Sequence, residues 1–91
     1  MDKYDLLLLD IISDHRENGL KMNIGLSQLE RTFWKRIEST SNLSINQARI
    51  GERITRLYLE NLIENKGGYC LTRKGRSLLA EQEEQPQRMA G

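Results

Sequence analysis

The chain has 91 residues, with 14 Lys and Arg against 13 Asp and Glu and a formal net charge of +1 at pH 7. This length suffices for one small hydrophobic core, and a single cysteine excludes a framework of intrachain disulfides. No apolar run approaches the ~20 residues of a membrane span, and the acidic start at Asp2 and Asp5 differs from a signal peptide. We expect one cytoplasmic domain over residues 1–80.

The first predicted element is an apolar helix that Asp2 caps and Asn18-Gly19 ends. One face of this helix carries Tyr4, Leu7, Leu8, Ile11 and His15. Leu6 and Leu9 fall outside that face and would leave an apolar stripe in water on a monomer. A small domain can simply expose some leucines, but we expect a homodimer to bury this stripe. Its predicted interface comprises Leu6, Leu9, Leu59, Leu78 and Leu79.

The second predicted helix begins after a segment, residues 21–24, that can add a short strand to a sheet formed further along the chain. Ser27 and Glu30 have the spacing of a capping box at the start of this helix, which should extend to about Ser39. Its apolar positions recur every four residues at Leu29, Phe33 and Ile37. Residues 40–43 are rich in side chains that compete for backbone hydrogen bonds, so we interpret them as the turn of a helix-turn-helix.

The third predicted helix spans residues 45–60 as one continuous element. Ser44 and Gln47 have the spacing of a capping box, and Asn61 can adopt the left-handed conformation that ends a helix. The apolar positions of this helix are Ile50, Ile54 and Leu57, and the basic positions on another face are Arg49, Arg53 and Arg56.

A β-hairpin and a last helix complete the predicted domain. Residues 62–65 and 69–71 are the strand candidates, and Gly67-Gly68 supplies the positive φ angles of a tight turn between them. Thr72 is the predicted N-cap of a helix that continues through Leu78 and Leu79. From residue 81 onward the apolar period is lost, so we expect residues 81–91 to be a frayed or disordered tail.

The second half of the chain resembles winged helix-turn-helix transcription regulators of the MarR and PadR kind. The residues that carry the resemblance are Arg56-Leu57, Asn61-Leu62-Ile63-Glu64, Tyr69, Leu71-Thr72, Lys74-Gly75 and Leu78-Leu79. The resemblance covers residues 26–79 and implies an α+β fold with a three-helix core, a small antiparallel β-hairpin wing and a C-terminal helix. The chain departs from the pattern at Asn61, where glycine is usual, and at Tyr58-Leu59, where charged residues are common.

The charges are segregated along the chain. Residues 1–26 hold three Lys and Arg against five Asp and Glu, residues 27–76 hold ten against five, and residues 77–91 hold one against three. A basic middle between acidic ends favours docking of a polyanion on the central elements, although mixed charges also occur on ordinary solvated helices. Together with the resemblance, this predicts a small transcriptional regulator that binds double-stranded DNA as a dimer.

The predicted DNA contacts centre on the third helix. Asn46 and Gln47 lie in its first turn, where their amides can pair with adenine, and Arg49 can pair with guanine. Arg53 and Arg56 lie farther along and are expected to bind phosphates. Predicted contacts outside this helix, mainly to the DNA backbone, are Gln28, Arg31, Lys35, Lys66, Arg73, Lys74 and Arg76.

Several alternatives remain open at this point. The arginines can instead form surface ion pairs with neighbouring glutamates. The domain can serve as a protein-interaction module within a larger assembly, with Tyr58, Leu59 and the first helix as the docking face. It can also be an architectural or replication accessory DNA-binding protein of a virus or plasmid. His15 and Cys70 lie on different elements without a set of carboxylate ligands, so we expect no enzyme, no metal and no cofactor.

Overall fold

The computed structural model describes the backbone of residues 1–40 and 42–90 and the side chains up to residue 82. Within these residues the chain forms an α+β domain of five helices and two short antiparallel hairpins. The elements are α1 (Lys3–Asp14), β1 (Arg16–Glu17), β2 (Leu20–Lys21), α2 (Leu26–Glu38), α3 (Ile45–Ala48), α4 (Ile50–Leu59), β3 (Ile63–Asn65), β4 (Tyr69–Leu71) and α5 (Arg73–Ala90).

Helix α1 begins at the predicted cap but ends earlier than predicted. The backbone N–H of Asp5 donates to Asp2 Oδ1 at 3.0 Å, and the N–H of Asp2 donates back to Asp5 Oδ2 at 3.4 Å, so a reciprocal capping box confirms the start. Asn18 and Gly19, with φ angles of 54° and 80°, form the turn between β1 and β2 instead of ending the helix. Two successive positive φ angles are typical of a tight hairpin turn, which explains this Asn-Gly pair.

Helix α2 has the predicted apolar face and a different start. Leu29, Phe33 and Ile37 are buried, as predicted. The helix begins at Leu26 with Gly25 in the N-cap position, so the predicted capping box at Ser27 is wrong and that serine lies inside the first turn. The predicted strand before this helix is reduced to a single bridge on the open edge of β4, between residue 24 and residue 69.

The predicted third helix is interrupted. Arg49 adopts the left-handed conformation, with φ 46° and ψ 55°, and separates the four-residue helix α3 from α4. The prediction of one helix over residues 45–60 is therefore wrong, and Ser44 makes no side-chain cap hydrogen bond with a described residue. The far end agrees with the sequence, since α4 stops at Leu59 and Asn61 has a φ angle of 63°.

The hairpin β3–β4 and the start of α5 form as predicted. Ile63 pairs with Leu71 and Asn65 with Tyr69, and the turn between them contains Gly67 with a φ angle of 67°. Thr72 Oγ1 accepts a hydrogen bond from the N–H of Gly75 at 3.0 Å, which confirms the predicted N-cap. The helix then continues to Ala90 and so includes most of the predicted tail. Fraying of residues 81–90 stays a prediction, and residue 91 lies outside the described residues.

The core is one cluster of apolar side chains, centred on α1, α2 and α4. Its fully buried large members are Leu8, Leu9, Ile24, Leu29, Phe33, Leu57, Leu62 and Ile63. Leu9 and Leu79, with 0% and 8% of their surface exposed, belong to this cluster. Both were predicted at a dimer interface, and the structure instead buries them within one chain. Over the described residues, no helix combines the length and apolar character that crossing a bilayer requires.

Candidate functional site

Helix α2 presents a polar and basic face to solvent. Gln28, Arg31 and Lys35 are all exposed, since they alternate at helical spacing with the buried positions of the same helix. Neither Arg31 nor Lys35 forms an ion pair with any described residue. Both predicted phosphate ligands on this helix are therefore free to meet an anion.

Helix α3, which contacts α2, adds amide side chains, and the residue that follows it is a further exposed cation. Asn46 and Gln47 are exposed, while Ala48 is fully buried in the core. The side chain of Arg49 is 71% exposed, and its Nη1 lies 3.7 Å from the equally exposed Glu52. Such an exposed pair is weak, so Arg49 can exchange Glu52 for another anion at little cost.

Arg53, predicted at a DNA phosphate, lies inside the domain. Its side chain is 12% exposed, and its Nη1 lies 2.8 Å from both carboxylate oxygens of Asp2 and 3.2 Å from Asp5 Oδ1. Its Nε donates to the carbonyl of Ala48, and its Nη2 donates to the carbonyl of Gln47 at 3.1 Å. Because its donors are already occupied, Arg53 is not a surface cation, and its assignment as a DNA contact does not hold in this structure.

The same cluster shifts two pKa values. Burial raises the pKa of Asp2, but hydrogen bonds from the Asp5 backbone and from Arg53 outweigh it, so the pKa of Asp2 lies below its ordinary value. Burial alone would lower the pKa of Arg53, and its hydrogen bonds to Asp2 and Asp5 reverse this and raise that pKa. Arg53 therefore carries a permanent charge that the two carboxylates neutralise.

Arg56 binds a buried carboxylate and is also partly exposed to solvent. Its Nη2 donates to Asp5 Oδ2, its Nε lies 3.9 Å from Glu60, and its side chain remains 50% exposed. Asp5 itself is 2% exposed, so a buried carboxylate on α1 is matched by two arginines from α4. Arg56 can still reach solvent, although a phosphate would compete there with Asp5.

The remaining predicted basic contacts belong to the β3–β4 hairpin and to α5. Lys66 at the β3–β4 turn is 70% exposed and lies 3.7 Å from Glu64. Lys74 Nζ donates to the carbonyl of Glu60 at 3.1 Å, and Arg76 Nη1 donates to the carbonyl of Leu71 at 3.2 Å. These two hydrogen bonds attach α5 to the preceding segments, and Lys74 and Arg76 remain exposed, as Arg73 does.

Sequence reasoning missed the partners of Arg53. The sequence predicts Asp2 only as a cap, yet its carboxylate also binds an arginine 51 positions away. Tyr4 makes two contacts with distant segments. The guanidinium of Arg53 lies over the Tyr4 ring at 4.7 Å from the centroid, and the Tyr4 hydroxyl accepts a hydrogen bond from the N–H of Ser44 at 2.8 Å. No local spacing signals contacts between residues so far apart.

The apolar residues predicted at a dimer or docking interface lie on two surfaces that solvent can reach. Leu6 lines an open groove of about 480 Å³ between α1, the turn after α2 and α5, together with Leu7 and Leu43. Tyr58 and Leu59, which are 55% and 77% exposed, form the second surface at the end of α4. Leu78 is half-buried. Of the predicted dimer contacts, Leu6 and Leu59 thus lie on two separate surfaces.

The histidine and the cysteine do not come together. His15 Nε2 lies 2.9 Å from Glu17 Oε2, and Cys70 is half-buried in β4. In the part of the chain that the structure describes, no three His, Cys, Asp or Glu side chains converge as a metal site.

No protein-family model matches the sequence, and the searches of curated proteins and of solved structures give no match.

Proposed function

We propose that the protein is a winged helix-turn-helix regulator that binds double-stranded DNA. One observation carries the proposal: the exposed cations Arg31 and Lys35 on α2 and Arg49 at the end of the contacting helix α3 occur together with the exposed amides of Asn46 and Gln47. The order of α2, a turn, α3–α4 and the β3–β4 hairpin is compatible with this class.

The chemistry of these side chains matches a duplex. Lysine and arginine bind phosphates irrespective of sequence, whereas the amides of Asn46 and Gln47 can pair with adenine edges and Arg49 with guanine. The structure reduces the predicted contact set, because Arg53 is only 12% exposed and bound to Asp2 and Asp5, and Arg56 is shared with Asp5. The proposed phosphate contacts are therefore Arg31 and Lys35, and the proposed base contacts are Asn46, Gln47 and Arg49.

Fluorescence anisotropy with a random-sequence duplex tests this proposal. Arg31→Ala combined with Lys35→Ala should weaken binding and reduce the slope of log affinity against log salt by about two, because two phosphate contacts are lost. Arg16→Ala combined with Lys21→Ala is the matched control, since these exposed cations face each other across the β1–β2 hairpin. Absence of duplex binding at low salt, or equal losses in both double variants, would refute the proposal.

Sequence-specific regulation requires more than affinity for random DNA. Selection from random duplexes should return a preferred site, and substitution of Asn46 or Gln47 should relax the preference at one position of it. Tight binding without any preferred site would favour the architectural alternative. A homodimer, which we also propose, would present two copies of α3 to a site with two-fold symmetry.

A second candidate function is docking to another protein, and the exposure of Tyr58 and Leu59 favours it. Large apolar side chains of this kind are enriched at interaction surfaces. Tyr58→Ser combined with Leu59→Ser separates the two functions, because it should leave duplex affinity unchanged if DNA meets α2 and α3. A chain that never binds DNA would leave this candidate as the better one.

A further inference from the structure

The left-handed residue between α3 and α4 is unfavourable on its own. Arg49 has a φ angle of 46°, a conformation that disfavours side chains with a Cβ, and Arg is not among the residues that tolerate it best. The interruption also removes three helical hydrogen bonds, in which the N–H groups of residues 50, 51 and 52 would donate to the carbonyls of Asn46, Gln47 and Ala48. Something else must hold the chain in the bent form.

Arg53 supplies two of the missing donors. Its Nη2 and Nε bind the carbonyls of Gln47 and Ala48, two of the three oxygens that a continuous helix would have satisfied through the backbone. Its Nη1 simultaneously binds Asp2 and Asp5 on α1. A single guanidinium thus joins the last carbonyls of α3 to the start of α1 through charge-assisted hydrogen bonds. We call this arrangement of Arg53 with Gln47, Ala48, Asp2 and Asp5 the clamp.

The bend determines which residues of α3 face solvent. Ile50, Ile54 and Leu57 are the inward positions of α4. One turn earlier in a straight helix, the inward positions would be residues 46 and 47. In the bent form Ala48 is buried in their place, and both Asn46 and Gln47 are exposed. A straight helix would turn the two amides towards the core and Ala48 away from it.

We propose that Arg53 is a positioning residue that keeps Asn46 and Gln47 on the outer surface by clamping α3 in its bent orientation. It does so without touching DNA. This inference rests on the proposed function for its biological meaning, but the clamp itself is a statement about the fold. Without the clamp, residues 45–59 join into one helix, and the side chains of Asn46 and Gln47 turn from the outer surface towards the core.

Nuclear magnetic resonance of the full chain tests the clamp without DNA. A positive φ angle gives a strong intraresidue NOE between the amide and α protons of Arg49, and the unbonded amides of Gly51 and Glu52 should exchange rapidly. In Arg53→Gln we expect this NOE to weaken and both amides to become protected. Arg53→Lys keeps the charge but not the fork that reaches two carbonyls, so it should shift the same signals even if the Gln variant fails to fold.

Two further variants sharpen the test. Arg36→Gln removes another arginine that reaches α1, at 3.7 Å from Asp10, and should leave the signals of residues 49, 51 and 52 unchanged. Arg49→Gly added to Arg53→Lys should restore the bend, because glycine adopts the left-handed conformation freely. An unchanged NOE and unchanged exchange in both Arg53 variants would overturn the clamp.

Affinity for duplex DNA tests the positioning role. Arg53→Lys should weaken binding at least about tenfold, which is the scale of one lost bidentate base contact. Because Arg49→Gly itself removes a proposed base contact, its single variant is the reference for the double variant, and the two should bind equally if glycine restores the bend. If Arg53→Lys loses the bend at residue 49 while its affinity for duplex DNA stays at the wild-type value, the positioning role of Arg53 would be overturned. If the wild-type chain binds no duplex at all, the proposed function fails, while the NOE and exchange measurements still decide whether the clamp exists.

Discussion

Gly75, in the first turn of α5, packs directly against the carbonyl oxygen of Leu62, and a Cβ atom at position 75 would overlap that oxygen. The same carbonyl accepts a hydrogen bond from the N–H of Thr72 at 3.1 Å. The close approach therefore fixes the start of α5 against the segment that enters β3. It gives a packing reason for the glycine in the Lys74-Gly75 pair that carries part of the family resemblance.

The first prediction concerns this contact. Gly75→Ala should lower the free energy of unfolding by about 3 kcal/mol, because a rigid backbone oxygen must move to admit the methyl group. Gly51→Ala is the matched control, since a Cβ at this helical glycine meets no atom within 4 Å. The control should be neutral or stabilising by up to about 1 kcal/mol. Urea denaturation measures both, and equal stability of the two variants would contradict the close packing at Gly75.

The second prediction concerns Asp2 and acid. Its pKa is lowered in the folded state, so its charge stabilises the fold above the ordinary value of 3.8 and this contribution is lost as the pH falls through the lower folded value. Asp2→Asn keeps a capping side chain and removes the charge. We expect it to cost about 0.5 kcal/mol at pH 7, discounted because the side chain is 51% exposed, and to approach wild-type stability below the folded pKa.

Two variants control this measurement. Asp2→Ala removes the cap as well as the charge and should cost about 1 kcal/mol at pH 7. Asp14→Asn changes a carboxylate at the other end of α1 that forms no ion pair with a described residue, so its effect on stability should be small. Urea denaturation at pH 7 and at a pH well below the ordinary value of 3.8 gives the comparison. A deficit in Asp2→Asn that is equally large at both pH values would show that the charge is not responsible.

The third prediction concerns the end of α4. Asn61 has a φ angle of 63°, and its carbonyl accepts a hydrogen bond from Thr72 Oγ1 at 2.7 Å. Asn61→Ala should destabilise the fold by about 1 kcal/mol, because alanine tolerates the left-handed conformation poorly. Asn61→Gly should stay within about 0.5 kcal/mol of the wild type, since lower strain offsets the greater entropy of the unfolded chain. Thermal unfolding distinguishes the two, and similar melting temperatures would count against this conformation.

Local signals in the sequence predicted the elements that local interactions determine. Asp2 caps α1, Asn61 ends α4 and Thr72 caps α5, because each acts on backbone groups within three residues of itself. The apolar face of α2 follows from its four-residue period in the same way. The predictions failed at Arg49 and at Leu9, where contacts from distant segments decide the outcome. Two local signals were also misassigned, since Gly25 and not Ser27 precedes α2, and Asn18-Gly19 form a hairpin turn.

The interruption at Arg49 shows why the candidate site was only partly predictable. Residues 45–60 have a helical pattern throughout, and nothing in it indicates a left-handed residue at position 49. The bend depends on Arg53 reaching back to two carbonyls while α1 holds its charge, an arrangement that exists only in the assembled fold. A count of charges along the sequence cannot distinguish Arg53 from Arg31, because the contacts of Arg53 also form only on folding. In the structure Arg31 is exposed, whereas Arg53 is bound to Asp2.

The fourth prediction separates the two apolar surfaces as candidate dimer contacts. Leu6→Ser changes the groove between α1 and α5, whereas Leu59→Ser changes the surface at the end of α4. If the proposed homodimer uses the groove, Leu6→Ser should weaken self-association at least about tenfold, while Leu59→Ser should have little effect on it. Sedimentation equilibrium over a range of concentrations measures both.

Leu59 is 77% exposed, so its substitution should change stability by less than about 0.5 kcal/mol and serves as the control for folding. The reverse ranking would place the contact on α4 beside the β3–β4 hairpin, and a wild-type chain that remains monomeric at high micromolar concentration would remove the dimer from the proposed function.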